Sequence, residues 1–413
     1  MKLTKNIVGW MFYDFANSAF TTVIVSVVFS YYFIQSVAVG PVGYGDKLWG
    51  LAVGISMTLV ALTAPVLGAV ADYSRSKKKL LFFFAYLTVL FTALLFFVKE
   101  GDALRGMLFF IVANYAFNSA NVFYDAFLPE ISSPANIGKV SGFGWAFGYL
   151  GGLFSLLLSL SLVKYNVRLV FPLIALHVLV FSLFTLFLLR EVRKPSRRTN
   201  YLKAAWQRIG FTWSHIRQMP NLLKFLLSYF LFNHGIYTVI VFAAPFGRER
   251  FGMGVQEVIL YFILAQFTSM LGAALFGYLT DRLNVRISLS LSLLIWIGVI
   301  VWAFFCGSAK EYYAVGLVAG LAIGSSQANS RTMLSLLTPD DKQAEFFGFF
   351  TLTGRLSSIM GPILYGWIAH ATGDLRYSIL SLLSFFVLGW VSLQTVSMTA
   401  GIAQKTSLST KEQ

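Results

Sequence analysis

The sequence is short of charged residues. Asp, Glu, Lys and Arg make up 12% of its 413 residues, whereas 57% are hydrophobic. A soluble globular domain carries about 25% charged residues. This chain therefore lacks the polar residues that a water-facing surface needs. The composition predicts an all-α polytopic membrane protein.

Cysteine and histidine are also scarce, and this excludes several kinds of site. The single cysteine, Cys306, lies in an apolar run, so we expect neither a disulfide framework nor a cysteine metal cluster. The four histidines are scattered, and no nucleophile lies beside a base, which argues against a membrane enzyme. A phosphate-binding loop is absent, so we expect no nucleotide or other cofactor, and ion gradients must supply energy. Lys2 and Lys5 lead into the first apolar run without a cleavage pattern, which predicts a retained spanning helix.

Long apolar runs dominate what is present. A spanning helix needs about 20 largely apolar residues. Twelve such runs occur, at residues 7–36, 48–71, 80–98, 105–127, 138–162, 168–190, 222–245, 255–279, 287–307, 312–335, 344–368 and 376–397. The third, sixth, ninth and twelfth are almost purely apolar, so we expect these helices to face lipid.

The net charge of +15 is concentrated in alternate loops between these runs. Basic residues cluster near the N-terminus, at 75–79, at 190–217 and near the C-terminus, whereas the opposite loops are sparse or balanced. This is the positive-inside distribution, so we expect both termini to be cytoplasmic and no nucleic acid to bind. Residues 191–221 form a basic linker between an N-terminal six-helix bundle, 1–190, and a C-terminal bundle, 222–397. Residues 398–413 form a cytoplasmic tail.

The two halves resemble each other at the end of the second run of each. Residues 68–72 (GAVAD) and 277–281 (GYLTD) share a glycine four residues before an aspartate, and basic residues follow both. The same offset carries Asn118 onto Gln327. The glycine would let two helices approach, and the aspartate would cap a neighbouring helix N-terminus or pair with an arginine. A plain pair of loop charges is the alternative. The predicted gate residues are Gly68, Asp72, Arg75, Gly277, Asp281, Arg282 and Arg331.

Polar residues inside the first half predict a wall of a solute pathway. Asp14, Asn17 and Ser18 share one helical face of the first run, and a carboxylate within a spanning helix costs at least about 3 kcal/mol. The fourth run carries further polar residues at helical spacing. The predicted pathway residues of this half are Asp14, Asn17, Asn114, Asn118 and Asn121, and a coupling proton would bind Asp14 or Asp125. The alternative is that these side chains only hydrogen-bond helices together.

The second half carries fewer polar residues within its runs. Asn233, His234, Gln327 and Arg355 are predicted to line the pathway, with Arg355 meeting a solute carboxylate or an internal acid. His234 could instead be a packed, hydrogen-bonded residue. Arg331 could instead extend to the membrane surface. Glycines spaced four apart in the fifth run permit either sliding or static helix contact.

The sequence resembles the major facilitator superfamily at both Gly-x-x-x-Asp loops. Arg75 and Ser76 depart from that signature, where a glycine and a basic residue are usual. Four further stretches resemble the vacuole-effluxer-like branch, whose name comes from fungal vacuolar amino-acid effluxers. They are residues 13–20 (YDFANSAF), 141–152 (SGFGWAFGYLGG), 327–331 (QANSR), and 345–348 (EFFG) with 357–362 (SSIMGP). The resemblance implies twelve helices in two six-helix repeats and solute export.

These observations together predict a secondary transporter that works by alternating access. The solute site would lie near the midplane between the repeats. We expect a small polar solute such as an amino acid, export, proton rather than sodium coupling, and a monomer in contact with membrane lipid. A bacterial inner membrane fits the short loops. A lipid, lysolipid or amphiphilic drug carrier is the alternative, because 17% of the residues are aromatic. A non-transporting receptor or scaffold is disfavoured by the lack of a soluble sensing domain.

Overall fold

The computed structural model describes residues 3–40, 44–74, 76–163, 165–191, 219–253, 255–340 and 342–411. This part of the chain contains twelve long helices, one for each predicted apolar run, and the all-α prediction is confirmed. They are α1 Lys5–Ala19, α2 Tyr44–Ser74, α3 Lys77–Leu94, α4 Ala103–Asp125, α5 Ile137–Val163, α6 Val170–Leu188, α7 Pro220–Phe251, α8 Val255–Leu283, α9 Val285–Phe305, α10 Ala309–Leu337, α11 Gln343–Thr372 and α12 Leu375–Gln394.

The first helix does not stay regular along its length. After Ala19 the chain continues as a π-helix over Phe20–Val27, then through Val28–Tyr32 and a second π-helical stretch, Phe33–Val37. The stretch after Ala19 is rich in β-branched residues, which crowd a tight helical turn. The π-helical stretch begins directly after the polar residues of α1, which stay in regular α-helix.

Ten helical segments of the described chain are long and apolar enough to cross a membrane. The remaining two long helices, α10 and α11, have 29 and 30 residues and carry more polar side chains. The protein is therefore an integral, multi-pass membrane protein. Helices α3, α6, α9 and α12 expose large apolar residues, such as Phe187 at 76% and Phe305 at 74%, as lipid-facing helices do.

The two halves are packed together at one end of the bundle. We call this the basic end, because Lys5, Lys77 and Lys139 lie there. One apolar core contains basic-end residues of both halves, for example Trp10 and Phe346. At the opposite end, the first half has a separate core that runs from Ala19 to Val178. Contacts between the halves are thus concentrated at the basic end.

A thirteenth helix, α13, covers Met398–Lys411 and docks on the basic end of the second half. The Ser397 backbone N–H donates to Asn221 Oδ1 at 2.8 Å, and Lys405 pairs with Asp340 at 2.6 Å. The predicted tail, 398–413, therefore begins as an ordered helix. Most of the predicted linker, 192–218, lies outside the described residues, so its path remains a prediction.

Candidate functional site

Two glycine crossings bring the halves into backbone contact. A Cβ atom on Gly142 of α5 would lie 2.7 Å from the Gly277 Cα atom of α8, so neither position has space for a larger residue. In the equivalent place, a Cβ on Gly68 of α2 would lie 2.8 Å from the Glu345 Cα atom of α11. Gly277 and Gly68, the repeated glycines of the sequence, thus each lie where a helix of one half touches the backbone of a helix of the other half.

The repeated aspartates each cap a helix of the other half. Asp281 Oδ1 and Oδ2 accept hydrogen bonds from the backbone N–H groups of Gly138, at 2.8 Å, and Lys139, at 3.1 Å, at the start of α5. Asp72 Oδ2 accepts one from the Glu345 N–H, at 2.9 Å, at the start of α11. A carboxylate is favoured at a helix N-terminus by the helix dipole and by the free N–H groups.

The basic residues that follow the two aspartates make different contacts in the two halves. Lys77 is buried and bridges Asp72, at 3.0 Å, and Glu130, at 2.9 Å. Arg282 lies over the Tyr278 ring at 4.5 Å, and the basic partner of Asp281 is Lys139 of the other half, at 3.9 Å. Arg75, a predicted gate residue, lies outside the described residues.

Arg331 is the centre of the interface between the halves. Its Nη1 atom lies 3.3 Å from Asp14 Oδ2 of α1 and 3.2 Å from Asp125 Oδ1 of α4. Its Nε and Nη2 atoms donate to the Ser141 hydroxyl, at 3.2 Å, and to the Ser141 carbonyl, at 2.8 Å. Only 3% of the side chain is exposed, so the alternative in which Arg331 extends to the membrane surface is wrong. Nearby carboxylates and a carbonyl satisfy its N–H groups inside the protein.

Aromatic rings complete the surroundings of the guanidinium group. Its central carbon lies 4.7 Å from the Trp10 ring centroid, 5.1 Å from that of Trp145 and 5.7 Å from that of Tyr124. Cations are attracted to the faces of such rings within about 6 Å. Arg331 is therefore held both by charge and by ring contact.

A second polar layer lies one helical turn further from the basic end. Asn17 donates through its amide to Asn121 Oδ1 across α1 and α4. Gln327, which is partly exposed, precedes Arg331 by four residues and so shares its face of α10. Asp14, Asp125 and Arg331 thus meet between the halves, and Asn17, Asn121 and Gln327 lie about one helical turn away on the same faces of α1, α4 and α10.

Other predicted pathway residues hold helices together within one half. Asn114 donates to Ser56 of α2 at 2.8 Å, and Asn118 donates to the Asn114 carbonyl at 2.7 Å. In the second half, the Asn233 amide donates to Ser357 of α11 at 2.5 Å. The Asn114 and Asn233 bonds fit the alternative in which intramembrane amides join helices, whereas the Asn118 bond lies within α4.

His234 is not brought to the interface. Its ring stacks on Phe385 of α12 at 5.1 Å and its Nδ1 lies 2.6 Å from the Phe230 carbonyl oxygen. A step of one residue turns a helix by about 100°, so Asn233 and His234 face different neighbours. The predicted pathway role of His234 is therefore corrected to packing within the second half. The Arg355 side chain lies outside the described part of the structure.

The glycines spaced four apart in α5 mainly contact α1, which belongs to the same half. Gly144 packs on Trp10, Gly148 on Ser18 and Gly151 on the Phe15 backbone, all of α1. Gly152 lies between Thr22, in the π-helical stretch that follows α1, and Gln266 of α8. The four-residue spacing forms one face, and that face mainly meets α1, whereas Gly142 meets the other half.

Several residues of this site were missed from the sequence. Trp10, Tyr124 and Trp145 surround Arg331, Ser141 binds it, and Gln266 reaches the interface from α8. An apolar-looking tryptophan gives no signal of a cation contact. The one usable signal was Gln266, a lone amide in an apolar run.

The charges of the central group do not balance. Asp14 and Asp125 together carry two negative charges when ionised, and Arg331 carries one positive charge. Burying an unpaired charge is costly, so this group favours a further cation, whether a proton or part of a solute. Asp14, Asp125 and Arg331 can bind or release an ion only when the halves separate and water enters between them.

Comparison with known proteins places the chain in one family. The model of the family described as "Vacuole effluxer Atg22 like" matches residues 50–406. A relative from Bacillus subtilis (strain 168), named "Uncharacterized MFS-type transporter YxiO", is 30% identical over 96% of this chain and 95% of its own length. "Autophagy-related protein 22" of Kluyveromyces lactis is 25% identical over 81% of this chain and 75% of its own length.

Solved structures share the fold at low sequence identity. The proton:xylose symporter XylE, solved with a bound sugar derivative, has a TM-score of 0.74 at 14% identity and covers 98% of both chains. A bacterial homologue of the iron transporter ferroportin, in an outward-facing state, has a TM-score of 0.72 at 16% identity over 96% of this chain and 98% of its own. The chain is thus a transporter rather than an enzyme, with the twelve-helix major facilitator fold, and it belongs to the vacuole effluxer Atg22-like family.

Proposed function

We propose that this protein exports small polar solutes of the amino-acid class by alternating access, in exchange for protons. The observation that carries the proposal is the buried group of Asp14, Arg331 and Asp125, which joins the halves and contains one carboxylate in excess. Alternating access, proton coupling and the amino-acid class of the solute each have separate support.

Alternating access is supported by where the halves touch. The caps at Asp72 and Asp281 and the ion pairs of Arg331 all lie toward the basic end. The first half keeps its own core at the opposite end. In this state the pathway is closed at the basic end, and solute would reach the layer of Asn17, Asn121 and Gln327 from the other side. In the alternate state the contacts of Arg331 and of both aspartates break.

Proton coupling is supported by the charge balance. When the basic end opens, Arg331 leaves with the second half, and Asp14 and Asp125 remain together in the first half. Two neighbouring carboxylates of low exposure cannot both stay ionised cheaply, so one takes a proton or binds a solute cation. A solute cation that arrives from the basic end displaces the proton to that side. When Arg331 returns, it expels the solute cation toward the opposite side, from which the carboxylate in excess takes up its next proton. Solute and proton thus move in opposite directions.

An amino-acid solute is supported by the chemistry of the two layers. Asn17, Asn121 and Gln327 offer both donors and acceptors, and the charged layer offers both signs. A zwitterion needs both. The family description "vacuole effluxer" supports export. We further propose a monomer in a bacterial inner membrane, with both termini and the basic end on the cytoplasmic side, as the positive-inside rule predicts.

The test is transport into liposomes that contain the purified protein. A panel of amino acids, peptides, nucleosides, sugars and lysolipids is first screened for a rise in melting temperature, since a ligand of the native state stabilises it by mass action. Each stabilising solute is then followed in gradient-driven uptake and in solute exchange, with an internal pH dye. We expect an amino acid to stabilise the protein and to move against protons.

Two variants separate coupling from binding. Asp14→Asn should abolish uptake driven by a pH gradient, whereas solute exchange should persist at saturating solute with weakened affinity, because Asp125 remains to bind the solute cation. The control is Asp102→Asn, which removes a partly exposed carboxylate that contacts Arg105 and the Lys99 N–H at the opposite end, and it should leave both activities unchanged. Unchanged pH dependence in Asp14→Asn would refute the coupling role. Stabilisation by lysolipids alone would replace the proposal with an amphiphile carrier.

A further inference from the structure

The partners of the Arg331 guanidinium group come from one side of the interface. Among the described residues they are Trp10, Asp14, Tyr124, Asp125, Ser141 and Trp145. All six belong to the first half, on α1, α4 and α5, whereas Arg331 belongs to α10 of the second half. We call these six residues the cation cage. The cage is a receptor in one half, and its occupant is supplied by the other.

The cage is held together by bonds that do not involve Arg331. The Trp10 indole N–H donates to the Tyr124 carbonyl at 2.9 Å. The Trp10 and Tyr124 rings stack at 4.6 Å with 12° between their planes, and Tyr13 lies 4.9 Å from Tyr124. Gly144 leaves space for the Trp10 ring. These contacts all lie within the first half, so the Trp10 and Tyr124 side of the cage should keep its shape when the halves separate. The Ser141 hydroxyl also donates to the Ala328 carbonyl of α10 at 2.8 Å, and its carbonyl and hydroxyl oxygens become free to accept from a new cation when α10 withdraws.

The acceptors of the cage fit a planar, forked cation. They bind three different nitrogen atoms: Nη1 meets Asp14 and Asp125, and Nη2 and Nε meet Ser141. An ammonium group presents its N–H bonds from one atom and cannot reach all of these positions, whereas a guanidinium group can. The ring faces add attraction for an organic cation once water is excluded. The vacated cage is thus shaped for a guanidinium group.

We propose that the cation cage binds the guanidinium group of the transported solute, and that Arg331 competes with that solute for the same site. The inference rests on the proposed function and names its substrate class, which is guanidinium-bearing amino acids and amines. In the state open at the basic end, the solute occupies the cage. When that end closes, Arg331 enters the cage and displaces the solute toward the opposite side. Arg331 therefore acts as a tethered competitor of the solute cation.

This role predicts an unusual response to loss of the arginine. Arg331→Ala should gain affinity for methylguanidinium, because the competitor is gone and two carboxylates are left without their cation. We expect a saturable rise in melting temperature of about 3 °C or more at one hundred times the dissociation constant. N-Methylurea, a neutral molecule of the same shape, should give no rise. Adding Asp14→Asn and Asp125→Asn to Arg331→Ala should weaken methylguanidinium binding at least tenfold.

A second variant keeps the test valid if Arg331→Ala does not fold. Gly142→Leu places a side chain where α8 backbone now lies, so the basic end cannot close and Arg331 is withdrawn from an intact cage. This variant should bind methylguanidinium at least tenfold more tightly than the wild type. If neither variant distinguishes methylguanidinium from N-methylurea, the cage is not a guanidinium receptor and the inference is overturned.

The outcomes separate this inference from the proposed function. If the wild type exchanges a neutral amino acid for protons while both variants ignore methylguanidinium, the inference fails and the function stands. If the variants bind methylguanidinium but no amino acid of the panel moves in liposomes, the receptor stands and the proposed function fails. Competition of agmatine with transported solute in the wild type would support both.

Discussion

The cap that Asp281 places on α5 allows a quantitative prediction about the equilibrium between the two states. Asp281→Ala removes two hydrogen bonds from backbone N–H groups to a carboxylate, at 2.8 and 3.1 Å. Hydrogen bonds to a charged group contribute about 1.5–3 kcal/mol each. The Lys139 contact, at 3.9 Å and partly exposed, adds little. In the proposed cycle these bonds exist only while the basic end is closed, so the variant should disfavour that state by about 3–6 kcal/mol, which is roughly 100-fold or more.

Distances between spin labels measure this shift directly. With Cys306 replaced by serine, one label pair is placed at the basic end, on Ala135 and Thr395, and another at the opposite end, on Glu100 and Arg250. In Asp281→Ala we expect the basic-end distance to lengthen and the opposite distance to shorten. The proposed cycle moves the halves as rigid bodies, so both distributions should change in the same sample.

The matched control is Asp374→Ala. Asp374 also caps a helix with its carboxylate, accepting from the Arg376 N–H at 2.9 Å, but this cap lies within the second half. It should lower stability without changing either label distance. If Asp281→Ala leaves both distances as in the wild type, the cap does not contribute to closure and the reasoning fails.

Three further predictions concern residues with separate roles. Asn114→Val removes the bond to Ser56 and should lower the free energy of unfolding by about 1–3 kcal/mol in a denaturant melt, with solute affinity unchanged. Asn17→Ala, in contrast, should reduce solute affinity in the binding screen with little loss of stability; a large stability loss would make it a packing residue. Lys77→Met removes the buried cation that bridges Asp72 and Glu130 and should cost about 3–5 kcal/mol of stability, measured by the same melt, and Lys77→Arg should recover part of it.

Much of the fold could be predicted because it depends on short stretches of sequence. Every predicted apolar run forms a long helix, since the length and composition of a run suffice to satisfy the backbone inside a membrane. The repeated Gly-x-x-x-Asp motif could also be predicted from the sequence. Gly68 with Asp72, and Gly277 with Asp281, each approach and cap a helix of the other half, which is what a glycine before an aspartate at a helix end allows.

The site was only partly predictable, because helical register decides which residues meet. Asn233 and His234 are adjacent in sequence, yet the first bonds to α11 and the second packs on α12. Asn114 and Asn121 are both amides of α4, yet the first bonds to Ser56 of α2 and the second accepts from Asn17 of α1, one turn from Asp14. Residue type indicated polarity inside the membrane but not the direction of each side chain.

The twelve long helices of the apolar runs, the repeat and the presence of buried charge could be predicted from the sequence, since each depends on local composition and spacing. The partner of Arg331 could not. Asp14 is 317 residues away in the chain, and an arginine in an apolar run can as well bind a solute, a carbonyl or the membrane surface. The partner follows from the packing of α10 against α1, α4 and α5, which places two carboxylates and three rings around one guanidinium group and leaves 3% of the side chain exposed.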